Sequence, residues 1–171
     1  QPFFGTIFTL SSHHPFKIPQ KYEGKFPKGH LEIHQCIGYT DYALKQFFEC
    51  AKKQAWYQNT IFVFVNDHPN QTYYEQYFQP ITGMGAAIMF YSPNPNLVPT
   101  GVNSEITQQI DIYPSLADLM GYNKPFRSWG RSVFTKLPDE TPRAFISNAI
   151  NYQMMQGNYI YIIDETGKVN G

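Results

Sequence analysis

Two short segments carry side chains able to do chemistry. The first is Asn66-Asp67-His68-Pro69-Asn70, directly after the apolar run Ile61-Phe62-Val63-Phe64-Val65. Asp67 offers a hard carboxylate oxygen and His68 a borderline imidazole nitrogen. That donor set suits Mn, Zn or Fe better than Ca, which prefers oxygen alone. Two adjacent residues reach one ion only where the backbone leaves the strand pleat, as it is expected to do before Pro69. The plainer alternative is a turn in which Asp67 caps backbone N–H groups and His68 is incidental. The second segment is Ser11-Ser12-His13-His14-Pro15-Phe16. Its imidazoles, His13 and His14, suit contact with a phosphate or sulfate oxygen, or delivery of a proton to a leaving group. Here the plainer alternative is a loop histidine without a role.

Other reactive side chains read as structural. His30 and His34 stand at helical spacing, but the zinc-protease pattern needs Glu directly after the first His. Leu31 holds that place, Glu32 comes one position late, and no third ligand is in view. They read as polar residues at a helix start. Cys36 and Cys50, the only cysteines, lie on one apparent helix. About 21 Å separates them along its axis, against the roughly 7 Å a disulfide spans. Both are expected to be buried free thiols. Tyr73, Tyr74 and Tyr77 read as packing or substrate-loop aromatics with no chemistry of their own. The signatures G-x-S-x-G, G-x-G-x-x-G, the P-loop and C-x-x-C are absent.

The positioning elements follow from the apolar patterning. Residues 3–10 (FFGTIFTL) predict a buried strand ending at the His13 loop. Residues 17–31 predict a long surface loop rich in Pro, Gly and Lys. Ile33, Cys36, Ile37, Thr40, Leu44, Phe47, Phe48 and Ala51 recur at three- and four-residue steps, so residues 33–53 predict a helix. Residues 61–65 and 86–91 predict strands buried on both faces. Residues 111–120 predict a second helix, with Pro114 in its first turn and Gly121 closing it. Residues 143–148, 151–156 and 159–164 predict an antiparallel meander. The alternation before it argues for a largely parallel sheet carrying helices.

Composition sets the outer limits. The chain has 171 residues, 42% of them hydrophobic and 17% aromatic, enough for one domain with a core. That excludes a charged, aromatic-poor disordered chain. Lys plus Arg and Asp plus Glu both number 13, and no basic run is present, so nucleic acid is not the expected partner. No stretch reaches the roughly 18 apolar residues of a membrane span. The opening residues lack the basic region of a signal peptide. They read as a strand met in mid-fold, as though taken from a longer chain.

Five segments occur together in a telling order: TLSSHHPF (residues 9–16), HQCIGYTDYALKQFF (34–48), WYQNTIFVFVNDH (56–68), QQIDIYPSLADLMGY (108–122) and NAINYQMMQGNYIYIID (148–164). Together they resemble the C-terminal half of a sulfatase-type domain of the alkaline phosphatase superfamily. The resemblance is strongest to lipoteichoic acid synthase-like phosphoglycerol transferases and their Bacteroidetes-type sulfatase cousins. It implies an α/β fold, part of a three-layer sandwich with a mostly parallel sheet and flanking helices. Residues 1–142 would be the α/β part and 143–171 the meander of a single catalytic domain.

The resemblance also implies roles. Asp67 and His68 match the Asp-His pair that ligates a divalent metal, Mn in the first place, with Mg or Zn as alternatives. Family members mostly carry Ala, Ser or Gly before that Asp, and Asn66 departs from this. His13 matches the histidine that contacts the phosphate or leaving-group oxygen, and His14 occupies the variable place beside it. Asp111-Ile112-Tyr113-Pro114 matches a structural helix start. The nucleophile and a further acidic ligand lie upstream in the family. Cys36 and Cys50 lack the C-x-P-x-R setting of a formylglycine.

The implied reaction is in-line attack on phosphorus or sulfur through a covalent intermediate. Its substrate would be a phosphate or sulfate ester, free or joined to lipid or glycan. These residues alone are expected to be inactive, and to self-associate in the absence of the other half-domain. The implied location is extracytoplasmic, in a membrane-anchored bacterial protein. The alternative is a non-catalytic binding or scaffold module that keeps a degenerate form of the fold.

Overall fold

The computed structural model describes residues 1–78, 82–136, 138–147 and 151–170. It divides into two compact units, Gln1–Thr60 with Phe64–Ala87, and Ile61–Val63 with Ile88–Gly171.

The first unit is organised on helix α1, Ile33–Ala51. The segment leading into it is held by a residue of its first turn. The His34 Nδ1 accepts the backbone N–H groups of His30 (3.1 Å) and Leu31 (3.4 Å), which ties the residues just before the helix to its first turn. Gly29, at φ +62, allows this closure, because a Cβ there would run into the His34 ring. Ile33, Cys36 and Ala51 of the apolar stripe are buried, whereas Ile37 and Phe47 stay exposed. Phe48 packs against Tyr57 and Phe64, at ring separations of 6.4 and 6.0 Å.

Phe16 joins Ile33 and Cys36 in a small core that Ile18 and Leu31 flank. Its φ is +55, a left-handed conformation that costs a bulky residue roughly 1–2 kcal/mol. Burying a Phe side chain contributes about 1.5–3 kcal/mol, and the Cys36 thiol donates to the Phe16 carbonyl at 3.1 Å. The packing outweighs the backbone cost. The loop that follows is irregular, as its sequence predicts, but it is tied down. Tyr22 and Phe26 pack on Tyr39 and Tyr42 of α1, with ring centroids between 5.3 and 6.0 Å apart.

Residues 3–10 depart from the sequence expectation. They form no strand, and their apolar side chains are exposed. A strand needs a neighbour to complete its backbone hydrogen bonds, and none of the described residues supplies one. The interior strands are also less buried than their unbroken apolar runs predict. Strand β1 is Phe62–Val65, half-buried with Val65 exposed. Strand β2 is Ile88–Tyr91, and its burial alternates. They pair with each other in a two-stranded sheet, too narrow to cover both faces of either.

The second unit contains helix α2, Ile112–Leu119, entered through a single 3-10 turn at Gln109–Asp111. A capping box joins Gln108 and Asp111 at that turn. Gly121, at φ +67, closes the helix in a Schellman motif. The Tyr122 N–H donates to Ala117 and the Gly121 N–H to Asp118. Beyond it, β3 (Arg143–Ser147), β4 (Tyr152–Gln156), β5 (Tyr159–Ile163) and β6 (Val169–Asn170) form the expected antiparallel meander, extended by the short β6. The register pairs Phe145 with Met154 and Met154 with Tyr161. Residues 148–150, which belong to the expected strand 143–148 and to the last resembling segment, lie outside the described residues.

Candidate functional site

All four residues singled out from sequence belong to the first unit. His13 and His14 lie on the turn after residues 3–10, and Asp67 and His68 on the loop that leaves β1. The His13 turn is closed by the Phe16 N–H donating to the His13 carbonyl at 2.8 Å. Burial of Phe16 against α1 holds that turn, while His13 and His14 remain exposed. His14 lies edge-on to the Phe16 ring, 5.9 Å away, and makes no other contact that gives it a chemical part.

The two remaining histidines share one local design. His13 Nδ1 lies 2.8 Å from the His14 carbonyl oxygen, and His68 Nδ1 lies 2.7 Å from the Pro69 carbonyl oxygen. A carbonyl only accepts, so each Nδ1 carries the proton. Each ring is thereby oriented, and in its neutral form its Nε2 carries the lone pair. A backbone partner on the other nitrogen is the usual support of a metal-ligating imidazole.

His68 Nε2 lies 3.4 Å from Asp67 Oδ2. Two donors about 2.1 Å from one ion stand roughly 3.0–3.4 Å apart when the angle between them runs from right-angled to tetrahedral. The pair therefore fits one shared cation. The other oxygen, Oδ1, accepts the His68 N–H at 2.9 Å and fixes the carboxylate. The capping half of the plainer reading is thus also present, on the oxygen that does not face the ring. Both side chains are more than half exposed. Among the described residues no group of three or more His, Cys, Asp or Glu side chains gathers as a metal site.

His30 and His34 are accounted for otherwise. His34 Nδ1 holds the backbone turn that leads into α1, and the His30 ring stacks on Tyr73, 4.1 Å apart and 5° from parallel. That stack ties the loop after Asp67-His68 to the loop before α1. Sequence reasoning missed it, because nothing in the spacing of His30 and Tyr73 signals a contact. Cys36 and Cys50 are free thiols, as expected. Cys36 is buried, and desolvation, helped by the nearby Glu32 carboxylate, raises its pKa. Cys50 is exposed, contrary to expectation; it falls off the buried stripe of α1.

The second unit holds a polar network that the sequence signals only weakly. Asp111 is 2% exposed. Its carboxylate accepts the Gln108 N–H and the Arg131 N–H, both at 2.9 Å. Ser115, one helical turn on, donates to the Asp111 carbonyl at 2.6 Å and accepts the Val133 N–H at 3.0 Å. Asp118 accepts the Thr135 hydroxyl at 2.7 Å. Positions 111, 115 and 118 thus form a polar stripe that straps residues 131–135 onto α2. Gly130 permits the approach, since a Cβ there would strike the Ile110 carbonyl. Gln108 Oε1 reaches further and accepts the Phe145 N–H of β3 at 3.0 Å.

A solved structure of a protein in the alkaline phosphatase superfamily from Vibrio parahaemolyticus matches this chain with a TM-score of 0.77 at 24% identity. The match covers 95% of this chain and 39% of that one. The fold is that of the alkaline phosphatase superfamily. Residues 1–122 match the sulfatase family model, and the chain belongs to the sulfatase family. Lipoteichoic acid synthase 1 of Bacillus subtilis (strain 168) is 30% identical over 156 residues, 82% of this chain and 24% of its own length. Lipoteichoic acid synthase of Staphylococcus aureus (strain USA300) is 25% identical over 151 residues, 79% of this chain and 23% of its own. The chain thus spans about a quarter of the length of these curated relatives.

Proposed function

We propose that these residues are part of a longer, metal-dependent hydrolase or transferase of phosphate or sulfate esters, with phosphate esters favoured. The observation that carries this reading is the convergence of Asp67 Oδ2 and His68 Nε2, 3.4 Å apart, on a loop leaving a strand. Relatives named as lipoteichoic acid synthases support the phosphate branch. They also motivate an extracytoplasmic location in a membrane-anchored protein. No helix of the described residues is long and apolar enough to cross a membrane, so an anchor would belong to other polypeptide.

Asp67 and His68 would hold the ion, Mn in the first place, with Mg or Zn as alternatives. When bound, such an ion neutralises charge on the ester and lowers the pKa of an attacking oxygen. Asp67 supplies a negative charge, and its Oδ1, held by the His68 N–H, keeps Oδ2 turned to the ring. His68 donates from Nδ1 to the Pro69 carbonyl, which orients the ring with Nε2 towards Asp67. His13 presents Nε2 to the substrate, and in its protonated form donates there to a non-bridging or leaving oxygen. The nucleophile and the remaining ligands come from polypeptide outside these residues, and residues 1–171 alone are inactive.

The test uses the longer protein with Mn and two chromogenic substrates, a phosphodiester and a sulfate ester. Asp67→Asn is expected to lower phosphodiester turnover at least about 100-fold without changing the melting temperature. Full turnover in that variant overturns the assignment. Faster turnover of the sulfate ester by the unaltered protein moves the reading to the sulfate branch. Residues 1–171 alone are expected to self-associate, because residues 3–10 expose five large apolar side chains. A clean monomer by light scattering at high concentration contradicts this.

A further inference from the structure

Tyr73 follows His68 on the loop that leaves β1. Its ring and the His30 ring lie 4.1 Å apart and within 5° of parallel. We propose that this stack is a positioning device for the candidate cation pair. It holds the loop in the shape that brings Asp67 Oδ2 and His68 Nε2 together, and so sets how tightly the pair binds a divalent ion. This rests on the ester-enzyme reading above and adds to it two positioning residues, His30 and Tyr73, which act on the ion only through the loop.

Three observations carry the proposal. The loop has few other fastenings. The Gln71 N–H donates to Asn70 Oδ1 at 2.7 Å, and the Thr72 hydroxyl donates to the Tyr74 carbonyl at 3.4 Å. These bonds shape residues 69–74 from within. Among the described residues, the stack is the one hydrogen-bond or ring contact of that segment that reaches a distant part of the chain. The other half of the stack is firmly held. The His30 and Leu31 N–H groups both donate to His34 Nδ1 in the first turn of α1, and Leu31 flanks the core of Phe16, Ile33 and Cys36. The His30 ring is thus a platform tied to the helix. The third observation is that the pair depends on backbone shape. Both side chains are more than half exposed, so packing does little to fix them. Asp67 Oδ1 is held by the His68 N–H at 2.9 Å, and His68 Nδ1 donates to the Pro69 carbonyl at 2.7 Å. Each of these bonds survives only while residues 67–69 keep their course, and Tyr73 fixes the chain a few residues on. Order supplied in advance is order that the ion need not impose on binding.

The experiment is a titration of the longer protein with Mn, the free ion read by electron paramagnetic resonance and no substrate present. Tyr73→Ala is expected to weaken binding about three- to tenfold, the range an aromatic pair commands. Tyr73→Phe keeps the ring, and is expected to bind as the unaltered protein does. His30→Phe also keeps a ring while removing both imidazole nitrogens, and is expected to do the same. His30→Ala should match Tyr73→Ala. The double alanine variant should lose no more than either single one, because both remove the same contact. No loss in Tyr73→Ala, additive losses in the double variant, or a loss in His30→Phe equal to that in His30→Ala overturns the proposal. A second readout judges the stack with no metal present. In EDTA, amide exchange across residues 70–74, read by mass spectrometry, should quicken in Tyr73→Ala and not in Tyr73→Phe. Equal rates in the unaltered protein and Tyr73→Ala overturn the proposal as well. Mn binding that Asp67→Asn leaves unchanged tells against the metal assignment instead, and the exchange rates still decide whether the stack holds the loop.

Discussion

Asp67 and Asp111 are the same side chain put to opposite uses. Asp111 is buried in the second unit, and its two carboxylate oxygens take the Gln108 and Arg131 N–H groups. It is spent entirely on holding a 3-10 turn, a helix and a returning segment in register. Asp67, in the first unit, is more than half exposed, and its second oxygen faces the His68 imidazole nitrogen at 3.4 Å. A buried carboxylate whose oxygens are saturated by backbone N–H groups is a structural part. An exposed one, with Oδ1 on a backbone N–H and Oδ2 beside an imidazole nitrogen, stays open to solvent. Burial and hydrogen-bond partners separate the two roles, and residue type does not.

The contrast predicts opposite phenotypes. In the longer protein, Asp67→Asn should take activity and leave stability, as stated above. Asp111→Ala should do the reverse and lower stability by about 2–4 kcal/mol, because two buried N–H donors lose their acceptor. Urea unfolding measures this, and an unchanged midpoint would break the comparison. A smaller contrast lies between the thiols. Burial raises the Cys36 pKa, so that thiol stays protonated and donates to Phe16. Iodoacetamide at neutral pH should label Cys50 and spare Cys36, read by mass spectrometry. The sign of the pH effect follows from the raised value. The Cys36 contribution is complete at neutral pH and is lost as pH climbs through the folded-state pKa, so the His13 turn should loosen only in alkali. Labelling of Cys36 at neutral pH as fast as Cys50 would contradict this. The smallest effect belongs to the β5–β6 turn. There Asp164 accepts from the Thr166 hydroxyl at 2.6 Å and from the Lys168 N–H at 3.0 Å, and the Thr166 bond leads in lowering its pKa. Amide exchange at Lys168 should stay slow as pH falls to about 4, the ordinary aspartate range, and quicken only below it.

Much of this was legible in the residues because the relevant signals are local. The stripe from Ile33 to Ala51 set α1 nearly to its ends, Pro114 and Gly121 bracketed α2, and tight turns separated the meander strands. That Asp67 and His68 lie on a loop leaving a strand was readable because an acid, an imidazole and a proline follow an apolar run. The failures came where the answer depends on partners distant in sequence or outside the chain. Residues 3–10 have the composition of a buried strand and no described neighbour to pair with. Strands β1 and β2 have unbroken apolar runs but only each other in their sheet. The stack of His30 on Tyr73 and the donation from Cys36 to Phe16 leave no periodic trace. Asp111, Ser115 and Asp118 do recur at helical spacing, and a polar stripe on a short apolar helix was the missed sign of the strap.

The turn at His13 also sets what inheritance can vary there. Position 16 must tolerate a left-handed backbone and at the same time fill a pocket against Ile33 and Cys36. Glycine meets the first demand and fails the second, and a β-branched residue would fail the first. The side chain at position 14 meets the Phe16 ring edge-on and faces solvent. Among descendants of this chain, residue 14 is free to drift while residue 16 is held by the shape of the pocket it fills and by its backbone.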